Sequence, residues 1–407
     1  MTVKPGSWEV MKKIIAIGTI SIFILTLGFS GSGCTQAQQT AVTISTAVES
    51  STAETTLIEI STEETAAKEK VPENFELLYV PKLIPDESLG SLPWFDIIEA
   101  GIMQCASDYG FRATVIGPPK ADPAFQAQIV LDNIGKNFDA IIVCPLEDKI
   151  IDAAFERANK AGVLTFSNEG YGLKNVTYDI AAMSNQAYGE AMMKAGAAYT
   201  NGSGSYLMSV GFLNSAAHNA WADAAIDYQK NNVSALTNVL GYSKGTDRFE
   251  DNEDPETASK KLTEYIENNK NLNLIIGNSP STGIAAGEVI AKKRLKGKLF
   301  FVGTGMPVTI GKYISEGILQ EGFFWDPYLL GYAMGYIAYQ SWLENVPGDG
   351  DSISRPDGSK IEGYENLAVG INANGGNIIY GNAIESINAE NLESWYSKFA
   401  NYGWPQN

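Results

Sequence analysis

Seven places in this sequence hold side chains suited to gripping a small polar molecule. They are Lys82, Pro93-Trp94-Phe95, Ser167-Asn168-Glu169, the stretch from Asn214 to Trp221 with His218 and Asn219, Asn278-Ser279-Pro280, Thr304-Gly305-Met306 and Trp325-Asp326-Pro327. Aromatic faces cover the apolar C–H side of a sugar-like ring, while neutral amides and carboxylates bond its hydroxyls. Groups for covalent chemistry are scarce by contrast. One His and 3 Cys in 407 residues argue against a His-based triad or metal centre, and no Gly-x-Ser-x-Gly elbow occurs. The acidic run Asp247, Glu250, Asp251, Glu253 and Asp254 has oxygens enough for Ca²⁺. It lacks the turn Gly and spaced final Glu of an EF-hand, so it reads as a solvated loop. Gly202-Ser203-Gly204 precedes a strand instead of following one, which excludes a dinucleotide fingerprint. No catalytic residue, cofactor or metal site is expected.

Each binding candidate also has a purely structural reading. Trp94 could staple a helix start, His218 could cap one, and Asn278 could serve a turn. Asp326 before Pro327 suits an N-cap for a helix over 328–342. Lys82 could pair with a nearby Glu, and Trp221 reads as core. Cys105 and Cys144 lie in apolar contexts and are expected as unpaired thiols.

The elements that must carry these residues alternate. Apolar strands are expected at 77–80, 113–116, 140–144 and 163–166, with helices over 95–109, 123–135 and 150–161 between and beside them. Asp122 with Pro123, and Gly162, mark a helix start and a helix stop. The pattern restarts after about residue 182. Strands at 205–210, 272–277 and 299–303 then alternate with helices over 214–230, from 255 onward and 281–293. Fully apolar strands separated by helices predict α/β halves with parallel sheets covered on both faces. Ligands of such sheets sit beyond the carboxyl ends of the strands, so a site between two halves is expected.

The first 73 residues differ from the rest. Lys12 and Lys13 precede 16 uncharged apolar residues (14–29), then Gly31-Ser32-Gly33-Cys34, and Met11 is a plausible start. This reads as an export signal over 1–34, too short for a membrane span. Cys34 after Gly-Ser-Gly is similar to a bacterial lipobox, which implies lipidation of Cys34 and a membrane anchor. Residues 35–73, dominated by Ser, Thr and Glu, read as a disordered stalk. Residues 74–407 carry a net charge of −15. That acidity disfavours nucleic acid and anionic membrane surfaces as partners.

Val80-Pro81-Lys82-Leu83, Phe138-Asp139-Ala140-Ile141-Ile142-Val143, Ala161-Gly162-Val163-Leu164-Thr165-Phe166 and Phe301-Val302-Gly303-Thr304-Gly305 are similar to the strand ends of one family. Over 75–405 the chain resembles a type I periplasmic binding protein of the sugar ABC-transporter class. From Gly322-Phe323-Phe324-Trp325-Asp326 through Tyr380-Gly381 it resembles most the branch that binds autoinducer-2 and rhamnose. The resemblance implies two doubly wound α/β lobes joined by a three-crossover hinge near 182, 325 and 375. Lobe 1 would then comprise 74–182 plus 326–375, and lobe 2 183–325 plus 376–407.

By position, Trp94 and Phe95 match the family's stacking aromatics, Ser167 and Asn168 a hydroxyl-binding pair, and His218 and Asn219 a polar pair from the second lobe. Asn278 matches the amide at a strand tip, Trp325 or Asp326 the hinge contact, and Lys82 a ligand-contacting lysine. Ser167, Ala217, His218 and Asn278 stand where the autoinducer-2 binder has Asp, Asp, Gln and Pro. Gly305 replaces an Asp usual in pentose and hexose binders. The implied function is a monomeric, lipid-anchored extracellular substrate-binding protein that hands a small polar ligand, a sugar first, to an ABC permease. Alternatives are a nucleoside or autoinducer-2-type binding lipoprotein, and a ligand sensor for a receptor kinase. A secreted α/β enzyme is disfavoured by the missing catalytic groups.

Overall fold

The computed structural model of the chain describes residues 69–84 and 94–403. Cys34, the export segment, Pro93 and all but the last residues of the expected stalk lie outside them. In the first half, apolar segments form β1 (Glu76–Val80), β2 (Arg112–Val115), β3 (Ala140–Val143), β4 (Leu164–Ser167) and β5 (Tyr178–Ala181). The second half supplies β6 (Gly204–Val210), β7 (Leu236–Asn238), β8 (Phe249–Glu250), β9 (Leu272–Gly277), β10 (Phe300–Thr304) and β11 (Glu321–Phe324). The chain then adds β12 (Ala368–Ile371), β13 (Asn377–Tyr380) and β14 (Glu385–Ile387).

Two sheets result. The first runs β12-β13-β5-β4-β3-β1-β2; the second runs β14-β11-β10-β9-β6-β7, with β8 also on β6. Pairing is parallel except for β12 on β13 and β14 on β11. Every residue of β3 is buried, as a central strand covered on both faces requires. The chain is α/β, two parallel-dominated sheets with helices on their faces.

The helices are α1 (Trp94–Tyr109), α2 (Pro123–Asn133), α3 (Asp148–Lys160), α4 (Asn185–Tyr199), α5 (Ala216–Asn232), α6 (Pro255–Asn268), α7 (Pro280–Lys292), α8 (Pro307–Ser315), α9 (Pro327–Trp342) and α10 (Leu392–Asn401). Asp122, Ser184, Asp254, Ser279 and Asp326 cap their helices with side-chain oxygens. Most of these starts also place Pro first, where its missing N–H costs nothing. Gly101 and Gly331 let α1 and α9 touch backbone to backbone; a Cβ at either would overlap the carbonyl of Tyr328 or Ile98. One continuous apolar core joins β1 and α1 through α9 to Trp221 and β6.

The chain passes from the first sheet to the second after β5, returns after β11, and crosses again after β13. The last passage therefore falls at 381–384 and not near 375, because 377–380 still pairs with β5 in the first sheet. It is fixed there by Gly381 N–H donating to Ala181 O and Ala383 N–H to Ala182 O. Cys105 and Cys144 are buried free thiols.

Candidate functional site

A cavity of about 810 Å³ opens at the carboxyl ends of both sheets. From the first sheet its wall takes Lys82 after β1, Trp94 at the start of α1, the β3–α3 turn from Pro145 to Lys149, and Glu169 and Tyr171 after β4. From the second it takes Asn214 to His218 and Trp221 on α5, Glu253 after β8, Pro280 and Ser281 at the start of α7, and Thr304 to Met306 after β10. Phe324 and Trp325 close it at the second passage between sheets. This is where open parallel sheets place a ligand.

Trp325 is the centre of an aromatic cluster. Its ring meets Trp94 edge-on at 5.6 Å, Tyr188 at 6.1 Å and Trp221 at 6.3 Å. Its Nε1 is buried and has no hydrogen-bond partner among the described residues. Trp221 is anchored by donating from Nε1 to Asn185 Oδ1 at 2.7 Å, and it is both core and cavity wall.

The charged groups are arranged by the loop after β4. Lys82 Nζ lies 2.7 Å from Glu169 Oε2. Burial opposes the charge on Lys82, yet Glu169 outweighs it and holds the ammonium pKa well above its usual range. Buried Asp179 accepts from Ser167 Oγ at 2.6 Å and Gly170 N–H at 3.0 Å, fixing the chain on either side of Glu169. Burial pushes the Asp179 carboxyl up to about 6, against the pull of those two donors. Asp148 accepts from Gly172 N–H at 2.7 Å, and burial raises its carboxyl too. On the facing wall, His218 Nδ1 accepts from Gly211 N–H at 3.2 Å, which leaves the proton on Nε2. Burial pulls His218 down to about 4, so it is neutral near pH 7.

Residues 88–343 match the family model described as periplasmic binding protein domain. The chain belongs to that family. Its members are solute-binding proteins and not enzymes. Solved structures similar to this periplasmic binding protein include a sugar ABC transporter protein from Actinomyces odontolyticus, at 17% identity and TM-score 0.65 over 80% of this chain and 98% of that one. LsrB from Clostridium saccharobutylicum in complex with AI-2 is similar at 17% identity and TM-score 0.62, over 79% of this chain and 99% of that one. A solute-binding protein from Clostridium phytofermentas with bound L-rhamnose is similar at 17% identity and TM-score 0.61, over 79% and 98%.

Of the residues singled out from sequence, Lys82, Trp94, His218 and Trp325 meet at this binding protein's cavity. The others do not line it, each for a visible reason. Phe95 packs into the core on α1. Ser167 is spent on Asp179, and Asn168 donates to Ile180 O at 2.8 Å behind the strand tip. Asn219 donates to Phe212 O and Ser215 O and accepts from Arg248. Asn278 is fully buried, donating to Ser209 O at 2.8 Å. Asp326 caps α9 and accepts from Tyr402 and Lys398, each at 2.8 Å.

Sequence reasoning passed over Asp148, Tyr171 and Glu253. Glu253 was hidden in the acidic run read as solvated. That reading is corrected at Asp247 and Asp251, which are buried: Asp247 binds Arg248, and Asp251 accepts from Thr282 Oγ1 at 2.6 Å. Among the described residues no cluster of His, Cys, Asp and Glu could hold a metal ion.

Proposed function

We propose that this chain is the substrate-binding component of an ABC importer and holds a sugar between its two lobes. The reading rests on the cavity, where three indoles are brought together with carboxylates and hydroxyls from the tips of both sheets. A pyranose or furanose ring offers that same pairing of apolar face and hydroxyl rim. Solved relatives bound to L-rhamnose, to D-arabinose and to AI-2 support it. Ligand touching both lobes favours the closed form, and a permease would read that closed face. No bond is made or broken. Family membership supports export, and Cys34 would anchor the protein as a lipoprotein monomer on the outer face of the cell membrane.

A melting screen of the purified protein with L-rhamnose, D-arabinose, D-tagatose, D-glucose, D-galactose, nucleosides and amino acids tests the ligand class. At least one sugar should raise the melting temperature in a concentration-dependent way, because a ligand bound only to the native state stabilises it. A response to nucleosides or amino acids alone would overturn the reading. Cys34→Ala should move the protein from the membrane fraction to the medium; an unchanged fraction would remove the anchor.

A further inference from the structure

The carboxylates of the cavity outnumber its cations, and the surplus is not scattered. On the β3–α3 turn, exposed Glu147 and Lys149 carry opposite charges. Inside, Lys82 is taken by Glu169. Among the described residues no Lys or Arg forms an ion pair with Asp148 on the first wall or Glu253 on the facing wall, and each feels Lys82 only at longer range. His218 Nδ1 comes within 4.0 Å of Glu253 Oε1, but it accepts the Gly211 N–H and is uncharged. Glu253 also has Asp251 beside it, and burial with that neighbour raises its carboxyl. Both surplus acids thus sit where a positive charge would relieve them.

The indoles supply the second half of the recognition. Trp94, Trp221 and Trp325 all line the same cavity, and the negative face of an indole attracts a desolvated cation. Trp325 Nε1–H, buried and without a partner among the described residues, is a donor that a hydroxyl or ring oxygen would satisfy once the rings around it shift. A wholly cationic ligand would leave that donor unused, and a wholly neutral one would leave Asp148 and Glu253 uncompensated.

We infer that the ligand is a polyhydroxyl molecule bearing a protonated amine, an amino sugar or its close chemical equivalent. The amine sits between Asp148 and Glu253 against the indole faces, and the hydroxyl rim meets Trp325 Nε1–H and the wall hydroxyls. This deepens the sugar reading and rests on it.

Matched pairs test it by titration calorimetry with the full chain: D-glucosamine against D-glucose, and D-galactosamine against D-galactose. The amino form of at least one pair should bind about tenfold or more tightly, since hydrogen bonds to charged groups are the stronger ones. That advantage should shrink as NaCl rises. Glu253→Gln should cut the amine-to-neutral ratio toward one. Asp148→Asn is the second variant, since Glu253 lies next to buried Asp251; a melting curve for each confirms that it folds. Neutral sugars binding as well as their amino partners would overturn the amine assignment and leave the sugar reading standing. No binding of either kind, together with no response to any sugar in the melting screen, would overturn both.

Discussion

The two walls of the cavity are built by different means. The first-sheet wall is a tied loop. From Ser167 to Asn175 its backbone is held by Asp179, by Asp148, by Asp152 accepting from Lys174 and Asn175 N–H, and by Asn372 and Asn374 of the β12–β13 hairpin donating to Leu173 O and Gly172 O. The second-sheet wall comes mainly from the starts of α5 and α7 and the tip of β10, with hydroxyls such as Ser281, Thr304 and Thr309. Rigidity on one side suits the charges, because a fixed carboxylate costs no ordering when ligand arrives. On the other side Thr309 Oγ1 is held in the start of α8 and Thr304 Oγ1 pairs with Tyr188 at 3.3 Å, while the Ser281 hydroxyl keeps its rotation. The first wall thus holds its carboxylate Asp148 in place, while the second brings Glu253 and several hydroxyls to the same cavity.

The largest expected effect comes from breaking what both walls share. Trp94→Ala removes the ring that meets Trp325 and should weaken sugar binding on the order of a hundredfold, the value of one buried aromatic face. The melting temperature without ligand should hold within a few degrees. Unaltered affinity in calorimetry would break the assignment of the cavity.

Asp179→Asn should sharpen the contrast. Asn keeps an oxygen for Ser167 Oγ and Gly170 N–H but not the carboxylate charge, so the ties weaken without touching the cavity, affinity should fall a few-fold and hydrogen exchange should speed up at 168–172. The substitution also carries a pH signature. The native carboxyl titrates at about 6, above its ordinary 3.8, so the native state holds the extra proton. Asp179 therefore favours folding most below pH 4, and that contribution is lost as the pH rises from about 4 through about 6. Urea midpoints for Asp179→Asn should lack this decline; an identical slope in both proteins would sink the assignment.

A third change probes the second passage between the sheets. Lys398 on α10 reaches Asp326 at 2.8 Å and Glu362 at 3.3 Å, while Tyr328 and Tyr402 stack 4.7 Å apart. Lys398→Met should lower stability by about 1–2 kcal/mol, since Tyr402 and two backbone N–H groups still satisfy the buried Asp326. A loss beyond 3 kcal/mol in urea unfolding would mean that the ion pair carries more than its share. The smallest effect belongs to the second-sheet wall. Ser281→Ala should change affinity only a few-fold, because one neutral hydrogen bond contributes about 1 kcal/mol.

Much of this was legible before any coordinates. Continuous apolar runs gave the central strands, and Asp-Pro pairs at 122, 254 and 326 marked helix starts that the backbone adopts. What escaped lacked a period to read. Strand β8 has two residues, and α4 is rich in Ala, Gly and Met with little contrast between its faces. The β12–β13 hairpin carries the exposed Val369 and Ile371 and shows no clean alternation, so no period in the sequence stood against the crossing near 375 that the resemblance implied. At the site, residue type pointed to strand tips, but the tip geometry decides which amides face inward. Asn168, Asn219 and Asn278 are all engaged with backbone carbonyls, a competition that spacing alone does not reveal. Long-range pairing placed Glu253 and Asp148 at one cavity, 105 positions apart in sequence.

The most direct check is X-ray scattering from the purified protein with and without the sugar that shifts its melting most. Saturating sugar should shrink the radius of gyration as the lobes close, with the same sugar recovered chemically intact afterwards. An unchanged radius at full occupancy, or a sugar returned as a different compound, would contradict the account.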